Sequence, residues 1–243
     1  MEKAITFLIL ILLLFGNYNL AISQANSHHK QTEQKWNNAG FKNTKVTNFD
    51  TDDFYYGYEV FTHVMELTVV NLRGSGWDEQ LIKKTISRAA EVYVQCGIKI
   101  KNLTYIEADP PYDRVDISEE KNQDGALAKL LPISSRPVVF FIRSQIEGKT
   151  GFAWPKEFAD PPIQNTAFIT SEVNTFEYRE KREKGYSPTA HEIAHLLGNC
   201  EHIEGEEYNI LSKYFNRVSS NITDEQCSTF KSFGVENGLL QKL

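Results

Sequence analysis

The chain has 243 residues, of which 41% are hydrophobic and 24% charged, with a formal charge of −6. That balance suits one medium-sized globular domain with a real core. It makes nucleic acid an unexpected partner, because phosphate binding needs clustered positive charge and the densest run of cations, EYREKREKG from Glu177 to Gly185, alternates in sign.

At the N-terminus Lys3 precedes an apolar run from Ile5 to Phe15, followed by small residues at Ala21, Ser23 and Ala25. The run is too short for the ~20 residues that a spanning helix needs. Residues 1–25 are therefore expected to be a signal peptide, cleaved after Ser23 or Ala25, which predicts a secreted or periplasmic protein without stable membrane association. Residues 26–55 are rich in Asn, Lys, Gln and Thr, and they read as a flexible leader or pro-segment. His28 and His29 in that polar stretch are expected to be incidental.

Residues 56–243 are expected to form one domain. EVFTHVMELTVV, Glu59 to Val70, alternates Phe61, His63, Met65, Leu67 and Val69 on one side, which predicts a strand with His63 as a satisfied core histidine. WDEQLIKKTISRAAEVYVQCG then places Ile82, Ile86, Ala89, Ala90 and Tyr93 at helical spacing, with Gly97 as the stop. A strand from Ile98 follows, then a short helix around Ala126–Leu131. RPVVFFI, Arg136 to Ile142, suits a buried strand. NTAFIT, Asn165 to Thr170, is expected at the sheet edge, while Phe152 and Trp154 of GFAWP, Gly151 to Pro155, either line the cleft or, the preferred reading, pack over the sheet. Ser187-Pro188 starts a helix that stops at Gly198, and Thr223-Asp-Glu-Gln226 is a capping box opening the last helix. This order predicts an α+β fold with helices packed on a mixed sheet.

In an oxidising compartment three cysteines imply one disulfide and one leftover thiol. Cys200 with Cys227 is the expected bridge, tying the last helix to the loop beside the histidine cluster, and Cys96 is the expected buried thiol.

The chemistry concentrates in TAHEIAHLLGNCEH, Thr189 to His202, which holds three of the six histidines. His191 and His195 are four apart on a helix, hence nearly on one face, and can offer imidazole nitrogens to one metal ion. Glu192 can reach a water at that metal without being a ligand itself. One Zn2+ per chain suits this donor set, with a position left open for water.

His191, Glu192, His195 and Gly198 resemble the motif of the metzincin clan of zinc metallopeptidases, HExxHxxGxxH followed by a methionine-containing turn. The resemblance covers roughly Phe54 to the C-terminus. It implies a zincin/metzincin-like fold: a mixed twisted sheet with a packing helix and an active-site helix, then a small C-terminal subdomain with a final helix. It also implies that the glycine ends the helix with a backbone turn beneath the metal. The clan's third ligand falls three residues after the glycine, at Glu201, and His202 comes one later. Both remain candidates, and His202 is preferred because imidazole completes the three-histidine set. YNILS, Tyr208 to Ser212, is similar to the clan's turn with Leu211 in place of methionine, and Tyr214 is one residue out of step with the clan's tyrosine. The expected function is a secreted zinc-dependent endopeptidase acting on peptide or protein substrates, with His191, His195 and His202 on the metal and Glu192 as general base. The alternatives are a secreted zincin-like binding module without turnover, and a structural zinc protein closed by Cys200. Oligomeric state is left open.

Overall fold

Alternation along the central strands divides the core into two. The computed structural model describes residues 26–55, 57, 60–111, 116–117, 127, 131, 136–144, 150–159, 163–174, 187–206, 208–212 and 220–243. In β5 (Val138–Ser144), Val139 and Phe141 enter one cluster while Val138, Phe140 and Ile142 enter the other. β2 (His63–Leu72) does the same, with Met65, Leu67 and Val69 on the first face and Val70 and Leu72 on the second. Burial on both faces is why these segments read as near-continuous apolar runs.

The sheet runs in the order β1 (Lys42–Phe49), β3 (Ile98–Asp109), β2, β5, β7 (Thr166–Thr170), β6 (Gly151–Trp154). The inner pairs are parallel and the two outer strands, β1 and β6, are antiparallel to their neighbours. Two short strands attach to it, β4 (Asp116–Ile117) on β5 and β8 (Gln241–Lys242) on the start of β2. The fold is thus α+β with a mixed sheet. NTAFIT is not the edge: β7 lies between β5 and β6, and all five of its residues are buried. The outer strand beside it is GFAW, whose Phe152 stacks on Phe168 with centroids 4.7 Å apart.

Residues 26–55 are built into this sheet and are not a flexible leader over the described stretch. A helix at 26–38 (α1) covers the second face with Trp36, whose ring lies 4.8 Å from Phe41 and 6.4 Å from Phe140. β1 pairs with β3 and buries only Val46 and Phe49, so its apolar alternation is too thin to be read from sequence. Residues 1–25, the expected signal peptide, lie outside the described residues, as do Glu177–Gly185 and Tyr214. Of the expected helix at Ala126–Leu131, only Leu127 and Leu131 are described, both buried. Among the described residues no helix is long and apolar enough to cross a membrane.

Three helices pack on the first face: α2 (Glu79–Tyr93), α3 (Pro188–Gly198) and α4 (Asp224–Glu236). Asp78 caps α2, and a 3-10 turn over Val94–Cys96 ends at Gly97 with φ 64°, a left-handed value that glycine adopts without strain. The capping box of α4 is present in full: Gln226 N–H donates to Thr223 Oγ1 (3.2 Å) and Thr223 N–H to Gln226 Oε1 (2.9 Å). α4 and Leu239–Leu240 belong to the same apolar cluster as α2 and α3, so the C-terminal segment shares the main core. His63 is only partly buried at the start of β2, against Thr62 Oγ1, and is not a core histidine.

The disulfide joins Cys96 to Cys227, with Cα atoms 5.0 Å apart, and Cys200 is the free thiol. This corrects the expected Cys200–Cys227 pair. The reason is packing: α4 docks against the end of α2, where both bonded cysteines are buried, while Cys200 turns its thiol back to donate to the Gly198 carbonyl at 3.0 Å.

Candidate metal centre

The histidine helix is set by its ends and by its burial. Ser187 accepts a hydrogen bond from Ala190 N–H (3.2 Å), and Pro188 occupies the first helical position. All eleven residues of α3 are buried, with Ile193, Ala194 and Leu197 in the main apolar cluster. From the neighbouring helix the Tyr93 hydroxyl donates to the Ala190 carbonyl at 2.6 Å.

Gly198 acts differently from expectation. Its φ is not positive, and the left-handed turn falls on the next residue, Asn199, with φ 50°. The glycine is needed for space. A Cβ there would lie 2.5 Å from Cys200 Sγ and 2.7 Å from the Phe230 ring.

The turn after Asn199 brings His202 back over the helix. The His191, His195 and His202 donor atoms all lie within 4.8 Å of one another, and the His191 Nε2 atom is 3.1 Å from both the His195 and the His202 Nε2 atoms. His191 and His195 are buried, whereas His202 is exposed. Glu201, the rival third ligand, lines the same cleft but is not one of the three converging groups.

Two backbone carbonyls orient the buried rings. His191 Nδ1–H donates to the Ile210 carbonyl at 2.5 Å and His195 Nδ1–H to the Cys200 carbonyl at 2.6 Å. Ile210 belongs to the Tyr208–Ser212 segment, which thus reaches His191, and Leu211 is buried in the main core. Burial pushes the His191 imidazole down to about 3, the neighbouring His195 and His202 adding to it, and burial pushes His195 down to about 4. Both rings are therefore neutral near pH 7, with the proton on Nδ1 and a lone pair on Nε2. Two such lone pairs 3.1 Å apart have no proton to share, and a cation between them relieves their repulsion. A tetrahedral ion with metal–nitrogen bonds near 2.0–2.1 Å separates its ligands by about 3.3 Å, close to this spacing. The donor set fits, and the three histidines can hold a metal ion.

Glu192 lies in the same cleft and is almost fully buried. It fits only because the facing residue of β6 is Gly151: a Cβ there would lie 2.8 Å from Glu192 Oε1 and from the Phe168 carbonyl oxygen. The cleft, of about 400 Å³, is also lined by Phe152, Ala153, Pro155 and Phe158. The rings of GFAWP draw the eye in the sequence. The lone glycine inside a strand was the stronger signal, because such a residue marks close approach of another group.

No family model matches the chain, and no curated protein matches it. Solved structures do. One is the crystal structure of metalloproteinase-II from Bacteroides fragilis, at 15% identity and a TM-score of 0.48, over 72% of this chain and 54% of that one. The present chain thus spans about half the length of that protein.

Proposed function

We propose that the chain is a zinc-dependent endopeptidase in which His191, His195 and His202 hold the ion and Glu192 is the general base. The observation that carries this is the convergence of three imidazoles, two of which, His195 and His202, line the cleft that also holds the buried Glu192 carboxylate. When bound, zinc supplies Lewis acidity that polarises a carbonyl and lets a water lose its proton near neutral pH. Glu192 takes that proton and passes it to the leaving amine, a role worth typically 10²–10⁴ in rate. The Ile210 and Cys200 carbonyls keep His191 and His195 in the ligating tautomer. β6, the outer strand among the described residues, lies beside the cleft and is the strand along which an extended peptide would be held.

A structural zinc site closed by Cys200 has no support in the geometry, since that thiol donates to Gly198 and is not among the convergent donors. Export of the chain, and the fate of residues 26–55, belong to the same proposal and follow from the sequence.

The test is a peptide mixture incubated with metal-loaded protein and read by mass spectrometry, beside Glu192→Ala with its metal content measured. Cleavage by the wild type, with a loss of at least about 10²-fold in a variant that keeps its metal, is the expected result. A metal-loaded wild type that cuts nothing overturns the peptidase reading and leaves a binding module.

A further inference from the structure

Two buried side-chain amides, Asn209 and Gln226, face each other beside the histidine cluster, and the proposed chemistry does not use them. Asn209 Nδ2–H donates to Gln226 Oε1 (2.8 Å), and Gln226 Nε2–H donates to Asn209 Oδ1 (2.9 Å). Each oxygen also serves the backbone. Leu211 N–H donates to Asn209 Oδ1 (2.9 Å), and Thr223 N–H, at the cap of α4, donates to Gln226 Oε1 (2.9 Å). Turning either amide over would set oxygen against oxygen and N–H against N–H. The pair therefore has one arrangement.

That arrangement fixes the segment from which both sides of the cluster are held. The Ile210 carbonyl accepts from His191 Nδ1–H (2.5 Å), and the Leu211 carbonyl accepts from the N–H of Ile203 (2.8 Å), the residue after His202. The other end of the pair is anchored in α4 and α2. Gln226 adjoins Cys227, which is bonded to Cys96. Beside Cys96, Gln95 accepts from Ile222 N–H (3.3 Å) and donates to the Ser220 carbonyl (2.8 Å). Replacing both partners of a buried hydrogen bond by apolar groups of the same shape can be nearly neutral for stability. An apolar pair would fill this space, but it would not fix the direction and distance of the segment as the reciprocal bonds do.

We infer that Asn209 and Gln226 are positioning residues of the candidate metal centre: their paired amides set the Ile210 carbonyl, and through it the direction in which His191 Nε2 presents its lone pair. This rests on the three-histidine metal reading and is independent of whether peptides are cut. Groups that orient a metal-binding histidine in this way typically contribute about 10- to 100-fold in metal affinity.

The test compares the wild type with Asn209→Leu, Gln226→Met, the double variant, and Tyr55→Phe as a control. The control removes a buried hydrogen bond from Ile100 N–H (2.6 Å) on β3. Zinc affinity is read by competition with a chelator, and ligand geometry by the visible absorption of the cobalt-substituted protein. Each single variant is expected to bind zinc at least about tenfold more weakly and to change the cobalt spectrum. The double variant is expected to lose no more than the worse single one, because the two amides act as a unit. Tyr55→Phe is expected to lower the unfolding midpoint while keeping zinc affinity within about threefold. Wild-type affinity and spectrum in the amide variants, with only a lower unfolding midpoint, would make the pair structural and overturn the inference. So would an equal loss of affinity in Tyr55→Phe. Should Asn209→Leu fail to fold, Gln226→Met decides alone, since it leaves the Asn209 bond to Leu211 N–H in place. A wild type that binds no zinc defeats the metal reading and this inference together, whereas zinc binding that ignores the amides defeats the inference alone.

Discussion

The two sides of the candidate metal site are built by opposite means. His191 and His195 stand on α3, every residue of which is buried and whose first turn is held by Ser187 and by the Tyr93 hydroxyl. His202 is exposed on the connection after the helix, which is held by backbone bonds such as Ile203 N–H to the Leu211 carbonyl (2.8 Å) and by one buried pair of amides, Asn209 and Gln226. The helix positions its two histidines through core packing that would persist without a metal. The loop carries His202 at an exposed position, and a bound metal is expected to add to its order. In such an arrangement the helix histidines should matter to the fold itself, and the loop histidine only to the metal.

The largest expected effect removes a support that both sides share. The Cys96–Cys227 bridge ties α2 to α4; Phe230 of α4 occupies the space that Gly198 leaves, and Gln226 of α4 holds the loop through Asn209. With the two cysteines 131 positions apart, chain-entropy reasoning gives up to about 5 kcal/mol, and native bridges typically contribute 2–4. Cys96→Ser with Cys227→Ser is expected to lose about 3–5 kcal/mol in denaturant unfolding, while Cys200→Ser stays within about 0.5. The reverse ranking would mean that Cys200 is the bonded residue, as the sequence had suggested.

Next comes the contrast between the histidines. In chelated protein, His191→Ala strips the donor from the buried Ile210 carbonyl and leaves a gap in the helix, for about 2–3 kcal/mol. His202→Ala is expected to change the same unfolding free energy by less than about 0.5. Added zinc is expected to raise the Tm of the wild type, and both variants should abolish that rise. Equal losses in the chelated state would show that the loop is as firmly built as the helix. Retention of the zinc-dependent rise in His202→Ala, with its loss in Glu201→Ala, would move the third ligand to Glu201.

The same difference explains what could be seen in advance. α3 was legible because its signals are local: a hydroxyl cap, a proline at the first helical position, histidines four apart and a glycine at the end. The capping box at Thr223 and the stop at Gly97 belong to that class too. The central strands were legible because burial on both faces leaves no polar alternation. β1 and α1 were missed since a strand at the border of the sheet needs few apolar residues, and Trp36 and Phe41 are too isolated to make a period. The disulfide partner and the outer position of GFAW depend on which distant elements meet, and no local pattern records that. Gly198 shows the intermediate case: its presence was readable but its purpose was not, because the Phe230 ring that demands the space is contributed by another helix.

The smallest expected effect is the sharpest test of the helix side. Tyr93→Phe removes the 2.6 Å bond to the Ala190 carbonyl, one residue before His191, and leaves the rest of the ring's packing in place. A neutral hydrogen bond of this sort contributes about 0.5–1.5 kcal/mol, so a loss near 1 is expected in denaturant unfolding. If core packing alone fixes α3, the spacing of His191 and His195 is unchanged, and zinc affinity by competition with a chelator should stay within about threefold of the wild type. A fall of tenfold or more, about 1.4 kcal/mol in binding, would show that the phenol is part of what sets the ligand geometry. The contrast between a packed helix and a tethered loop would then narrow, since both sides of the site would depend on single polar contacts.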